Sequence, residues 1–305
     1  MKWTIIFAFT LVPIISIAQN KKFDKLIETY DVRSYVENVP KGNTALFWDA
    51  VWRNNERLTK LFEACKKGKS SAEEAQKSVS NSLIVSQVSR NTLPIMDSLQ
   101  FAADTLLHRI GIKELFSDAY MKIVDNSEKN AYTYPDGAIY LNAPLIYDFE
   151  YEQTLGICAH EAAHFILQHT LQEAFATQKR LRKNKIIAGI AASVNIAANA
   201  YAQANGASTS DSWEYVNKMT ESLFDEAEMK ANKYRYKYSR EEEIEADLIA
   251  YRFLEYFGCS GINYIMALKN LGYDNDNYYN DESTHPTIKF RVDLLEYIFN
   301  KEQKH

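Results

Sequence analysis

Cysteine is scarce in this 305-residue chain: Cys65, Cys158 and Cys259 are an odd number and lack the paired spacing of a cysteine-held metal. A disulfide-stapled scaffold is therefore excluded, and one bridge at most can form. Cys158 falls inside a predicted helix and reads as a small buried residue, which leaves Cys65 with Cys259 as the only other pairing. A broad cationic field is also missing. The formal net charge is -5 and the basic residues are scattered, so nucleic acid is excluded as a partner. No internal repeat is visible, and no apolar run reaches the ~20 residues that span a bilayer. A hydrophobic content of 46% suffices for one large domain or two modest ones.

The first residues carry Lys2, an apolar run from Ile5 to Ile17, and Ser16-Ile17-Ala18, with small residues at the two positions a signal peptidase reads. Residues 1–18 are expected to be a signal peptide, and the run is too short for a membrane anchor. The expected product is exported, periplasmic or extracellular. No cysteine follows the run to take a lipid, so the product should be a free chain.

From Phe23 to about Leu115 the pattern is helical, with apolar residues three and four apart at Leu93, Ile95, Met96, Leu99 and Phe101-Ala102. Pro40-Lys41-Gly42-Asn43 reads as a turn and Lys66 to Ser71 as a surface loop. Tyr120 to Val124 and Ala138 to Leu141 are the strand candidates, with Pro135-Asp136-Gly137 as a turn. Helices are expected from Tyr151 to about Leu171, from Ser239 to a C-cap at Gly258, from Ile262 to Leu271 and from Ile288 to Phe299. The Ala, Ile and Asn-rich stretch 186–204 is short of a full span. It reads as a buried or hairpin helix, and peripheral membrane contact through it stays open.

Chemistry concentrates at His160-Glu161-Ala162-Ala163-His164. Residues four apart on a helix lie one above the other, so both imidazoles can reach one ion, with Glu161 beside it. Zinc with three protein ligands keeps a fourth position for water and lowers its pKa to about 7, and a neighbouring carboxylate can take the proton as that water attacks. The third ligand must come from elsewhere. In Glu243-Ile244-Glu245-Ala246-Asp247, Glu243 and Asp247 share a helix face, so Glu243 can bind zinc while Asp247 reaches a ligand imidazole from behind. Glu241, Glu242 and Glu245 fall on other faces and read as solvated. Leu167 and Thr170 stand where a metzincin needs glycine and histidine, which excludes that class.

His285-Pro286, with Arg291 six residues on, is a further candidate: one or both could stabilise the oxyanion, or His285 could take the open zinc position. By themselves these residues favour a loop histidine and an exposed arginine.

Four stretches in order resemble the HtpX and BepA type of gluzincin peptidase, the family of the CAAX prenyl endopeptidases and Oma-type proteases. They are Asn130-Ala131 with Gly137-Ala138-Ile139-Tyr140, then His160 to His164 extended by His169, then Glu243 to Asp247, then His285-Pro286 with Arg291. The resemblance spans roughly residues 90–300. It implies one zinc per chain on His160, His164 and Glu243, catalysis by Glu161, support from Asp247, and transition-state or latching roles for His285 and Arg291. It also implies that Asn130, Ala131, Gly137, Ala138 and Ile139 form a substrate-binding edge strand, to which an extended polypeptide adds. His169 lies about 140° from His164 on an ideal helix and is read as structural, as is His108. Tyr132, Tyr134, Tyr140, Tyr234, Tyr236 and Tyr238 are candidates for side-chain pockets or for plain packing.

The expected fold is a predominantly helical α+β, zincin-like domain over 90–305, with a small sheet and an active-site helix, and with helical region 19–89 packed on it. The expected function is zinc-dependent endopeptidase action on exported or misfolded polypeptides. The rival is a latent or non-hydrolytic zinc protein, a chaperone or assembly factor, with His285 as fourth ligand.

Overall fold

The computed structural model describes residues 18–90, 97–134, 137–183, 239–272 and 286–304. The N-terminal layer comprises α1 over 18–30, α2 (Arg33–Val36), α3 (Thr44–Asn54), α4 (Glu56–Lys66) and α5 (Ser70–Arg90). Then come α6 (Asp97–Ile110), a 3-10 turn (Ile112–Glu114), β1 (Tyr120–Val124), β2 (Ala131–Thr133) and β3 (Ala138–Asn142). The remaining helices are α7 (Pro144–Tyr147), α8 (Tyr151–Ile166), α9 over 169–183, α10 over 239–257, α11 (Ile262–Gly272) and α12 (Ile288–Glu302). Ser70 and Ser71 open α5 and do not belong to the loop expected over Lys66 to Ser71.

Asparagine and threonine start the helices where their side chains can accept from orphan amides. Asn43 caps α3 by accepting from Leu46 N, Asn55 caps α4 by accepting from Leu58 N, and Thr287 caps α12 by accepting from Phe290 N. One continuous apolar core runs from Phe23 on α1 to Ile298 on α12, so the N-terminal layer and the later helices share it. Trp48 on α3 shows how they are joined. Its indole N–H donates to Ile110 O at 2.8 Å, and its ring stacks on Phe253 of α10 at 5.2 Å. Burying an aromatic side chain of this size contributes roughly 2–3 kcal/mol. Arg252, on the same helix, is buried against Asp31, Glu255 and Glu302, which ties α10 to the ends of α1 and α12.

The sheet order is β1-β3-β2, with β1 and β3 parallel and β2 and β3 antiparallel. Met121, Ile123, Ile139 and Leu141 face the main core. Tyr140 and Tyr132, paired in register, stack at 5.2 Å on the opposite face, where Tyr120 and Tyr134 also pack. This corrects the edge-strand expectation for three of its five residues. Ala138 and Ile139 lie on the central strand, both sides of which are paired, and Gly137 precedes it at the hairpin turn. The edge on that side is β2, which Asn130 leads into and Ala131 begins. Gly137 has φ +86°, and a Cβ there would meet Phe165 at 3.0 Å and Ala119 at 3.2 Å, so only glycine fits the hairpin close against α8.

All three cysteines are free thiols, so the Cys65–Cys259 pairing is not formed. Among the described residues no helix is long and apolar enough to cross a membrane. The expected signal peptide up to residue 17, the 186–204 stretch, His285, and Tyr234, Tyr236 and Tyr238 lie outside the described residues.

Candidate metal centre

Helix α8 is buried along nearly its whole length, because its Gly, Ala and Cys positions let α11, α6 and β2 approach closely. His160 and His164 project from one face, one turn apart, and their Nε2 atoms lie 3.1 Å from each other. The Glu243 carboxylate on α10 completes a triangle, with Oε2 3.5 Å from His160 Nε2 and Oε1 3.3 Å from His164 Nε2. Bonds of 2.0–2.1 Å to a tetrahedral zinc place ligand atoms about 3.3 Å apart, and one donor atom from each of the three residues lies within 4.8 Å of the other two, within reach of a single ion. Two imidazole nitrogens and one carboxylate are also a donor set that zinc accepts. His160, His164 and Glu243 are the group among the described residues that can hold a metal ion.

The other ring nitrogens are occupied, which turns both Nε2 atoms toward the shared space. His160 Nδ1 lies 3.1 Å from Asp247 Oδ1 and 3.0 Å from the Tyr264 hydroxyl, and Tyr264 donates to Asp247 Oδ1 at 2.7 Å. His164 Nδ1 lies 2.9 Å from His169 Nδ1. Burial by itself would depress the His160 pKa, but the Asp247 and Glu243 carboxylates outweigh it and push the ring up to about 9. The physical cause is a carboxylate at each ring nitrogen, Asp247 at Nδ1 and Glu243 at Nε2, and two anions favour the protonated ring.

Glu161 is buried between the two histidines in sequence, and burial raises its carboxyl above the usual glutamate range although both imidazoles oppose the shift. Asp247 is fully buried. Burial would raise its pKa too, but Arg291 and His160 hold it below the ordinary value.

Arg291 stands where it can position these carboxylates. Its Nε donates to Asp247 Oδ2 at 2.7 Å, its Nη2 to Asp247 Oδ1 at 2.5 Å, and its Nη1 lies 3.6 Å from Glu243 Oε2. The guanidinium thus faces the two acids of α10, Asp247 through a two-nitrogen fork and Glu243 through its third nitrogen.

Three expectations about neighbouring residues also change. The helix expected to run to Leu171 ends at Ile166, because Gln168 adopts a left-handed conformation (φ 52°) and α9 sets off in a new direction. That break cancels the ideal-helix angle of 140° and returns His169 onto His164. Glu245 and Glu242 are buried instead of solvated. Glu245 accepts from Asn55 Nδ2 at 2.8 Å, faces His169 Nε2 at 3.3 Å and contacts Arg57. Burial raises the Glu242 carboxyl well above the usual range. Tyr264 carried no motif, and its one sequence signal is a tyrosine on an otherwise apolar helix face. His108 is exposed on α6.

The model of peptidase family M48 matches residues 98–298, which include α8, the acidic helix and Arg291. No curated protein matches the chain. The match covers most of the chain and its triangle of donors fits zinc, so the protein belongs to peptidase family M48, the zinc metallopeptidases that include HtpX, the CAAX proteases and the Oma-type proteases.

Proposed function

We propose that this metallopeptidase is an endopeptidase that hydrolyses peptide bonds of exported or misfolded proteins, with Glu161 as its general base. The observation that carries the reading is the site of Glu161: a buried carboxyl with a raised pKa, next in sequence to one metal-binding imidazole and three residues before the other. A general base works best when its pKa approaches the operating pH, and burial moves Glu161 in that direction. Zinc, when bound, lowers the pKa of a water to about 7 and polarises a carbonyl. Glu161 takes the proton of the attacking water at its carboxylate and returns it to the departing amine.

His160, His164 and Glu243 would hold the ion, and Asp247, Tyr264 and Arg291 orient two of those three. The outer side of β2, entered through Asn130 and Ala131, suits an extended polypeptide that adds as a further antiparallel strand. Export is supported by the apolar run and small residues within 1–18.

The test compares the chain without residues 1–18 with its Glu161→Gln variant, for zinc content and for cleavage of casein. Both should bind about one zinc, and only the parent should cleave. If both bind zinc and neither cleaves, the hydrolytic reading is overturned in favour of a non-hydrolytic zinc protein.

A further inference from the structure

His164 is backed by a line of buried polar groups that leaves the M48 segment altogether. To bind a metal through Nε2, a neutral His164 must carry its hydrogen on Nδ1, which then donates to His169 Nδ1 at 2.9 Å. His169, accepting at Nδ1, carries its own hydrogen on Nε2 and directs it at Glu245 Oε2, 3.3 Å away. Glu245 accepts in turn from Asn55 Nδ2 at 2.8 Å and contacts the Arg57 guanidinium. Both imidazole donors, on His164 and His169, point away from the metal position, and they end on the Glu245 carboxylate, which Asn55 and Arg57 meet from the other side. Asn55 and Arg57 lie on the N-terminal layer, more than forty residues before the family match begins at residue 98.

We infer that His169, Glu245 and Asn55 are positioning residues that fix the ring and tautomer of His164, so that the N-terminal helical layer is a working part of the metal centre. The geometry has few alternatives. His169 is 2% exposed and Glu245 4%, so neither group can find water in place of its partner. Asn55 serves twice: its side-chain oxygen caps α4 through Leu58 N at 2.9 Å, and its amide nitrogen serves Glu245. One side chain of the layer therefore both starts α4 and holds the carboxylate at the end of the line from His164. The inference rests on the metallopeptidase reading only in taking His164 as a ligand.

The test is zinc affinity, measured on the full chain by competition with a chromophoric chelator well below the unfolding temperature. Loss of a group that orients a ligand weakens metal binding by roughly 10–100-fold. His169→Phe should show that loss. His169→Asn keeps an acceptor near the Nδ1 position and should stay within about threefold of the parent. Asn55→Ser keeps a good helix cap but cannot reach Glu245, and should weaken zinc binding by about three- to tenfold. Parental affinity in both His169→Phe and Asn55→Ser, with only a lowered melting temperature, would overturn the inference and leave plain packing. Loss in His169→Asn equal to that in His169→Phe would overturn it too. If His169→Phe does not fold, Asn55→Ser and His169→Asn decide the matter. A parent that binds zinc without cleaving casein defeats the endopeptidase proposal and leaves this result standing.

Discussion

Arg291 grips Asp247 through two nitrogens, Nε on Oδ2 at 2.7 Å and Nη2 on Oδ1 at 2.5 Å, while the same carboxylate faces His160 Nδ1 at 3.1 Å. The pair lies behind the metal-binding triangle and is shielded from solvent. Arg291→Met would leave Asp247 as an unpaired buried anion, which costs about 3–5 kcal/mol. Arg291→Lys keeps the charge and loses the fork, so it should recover part of the stability and less of the zinc affinity. Urea unfolding and chelator competition on both variants check this, and equal zinc affinity in parent, Lys and Met forms would show that Arg291 does not reach the metal centre.

Helices α8 and α11 touch at a glycine. A Cβ on Gly156 would meet Tyr264 Cδ2 at 2.9 Å and Leu254 Cδ1 at 3.2 Å. Gly156→Ala gains up to about 1 kcal/mol of helix propensity but overpacks the contact at a cost of about 1–3 kcal/mol. The net expectation is destabilisation of about 1 kcal/mol. Tyr264 must also shift from Asp247, so zinc affinity should fall as well. A stabilised protein with parental zinc affinity would refute this account of the contact.

Glu242 carries a buried carboxyl oxygen, Oε1, with no hydrogen-bond partner among the described residues. Its folded pKa is raised by burial well above the ordinary 4.5. The folded state therefore binds this proton more tightly than the unfolded state does. The stability that comes with it is fully present below pH 4.5 and is lost as pH rises through that value toward the raised one. Glu242→Gln should stabilise the protein at neutral pH by on the order of 1–2 kcal/mol. The difference should disappear below about pH 4. A constant difference from pH 4 to 8 in denaturant titrations would show that the charge is not its source.

The thiols provide a separate check on burial. Cys158 is fully buried, and burial followed by the Glu161 charge drives its pKa far up. Cys65 and Cys259 are half-buried and raised by burial alone and by burial with Glu152. An aromatic disulfide reagent at pH 8 should leave Cys158 unreacted in the native protein and titrate all three thiols after denaturation. Two missing thiols in the denatured, unreduced chain would reveal a Cys65–Cys259 bridge.

Local spacing was a good guide wherever a property belongs to one element. The strand over Tyr120–Val124, the C-cap at Gly258 and the shared face of His160 and His164 all follow from period and capping residues. Spacing failed where the chain turns or where faces are covered from outside. The left-handed Gln168 redirects the chain so that His169 meets His164, and no periodicity announces such a residue. Glu242 and Glu245 looked like a solvated face because an acidic run usually is one, yet both are buried, Glu245 against His169 and against Asn55 and Arg57 of the N-terminal layer.

The sequence by itself determined the donor types, their helical spacing, the family and thus the zinc chemistry, since a helix sets which side chains share a face from numbering alone. The tertiary structure decided which nitrogen of each imidazole is free, that Arg291 serves Asp247, that β2 and not β3 lies at the edge, and that Asn55 meets Glu245. Those outcomes depend on how separate elements approach one another, and burial then makes each polar group take the partner that approach supplies.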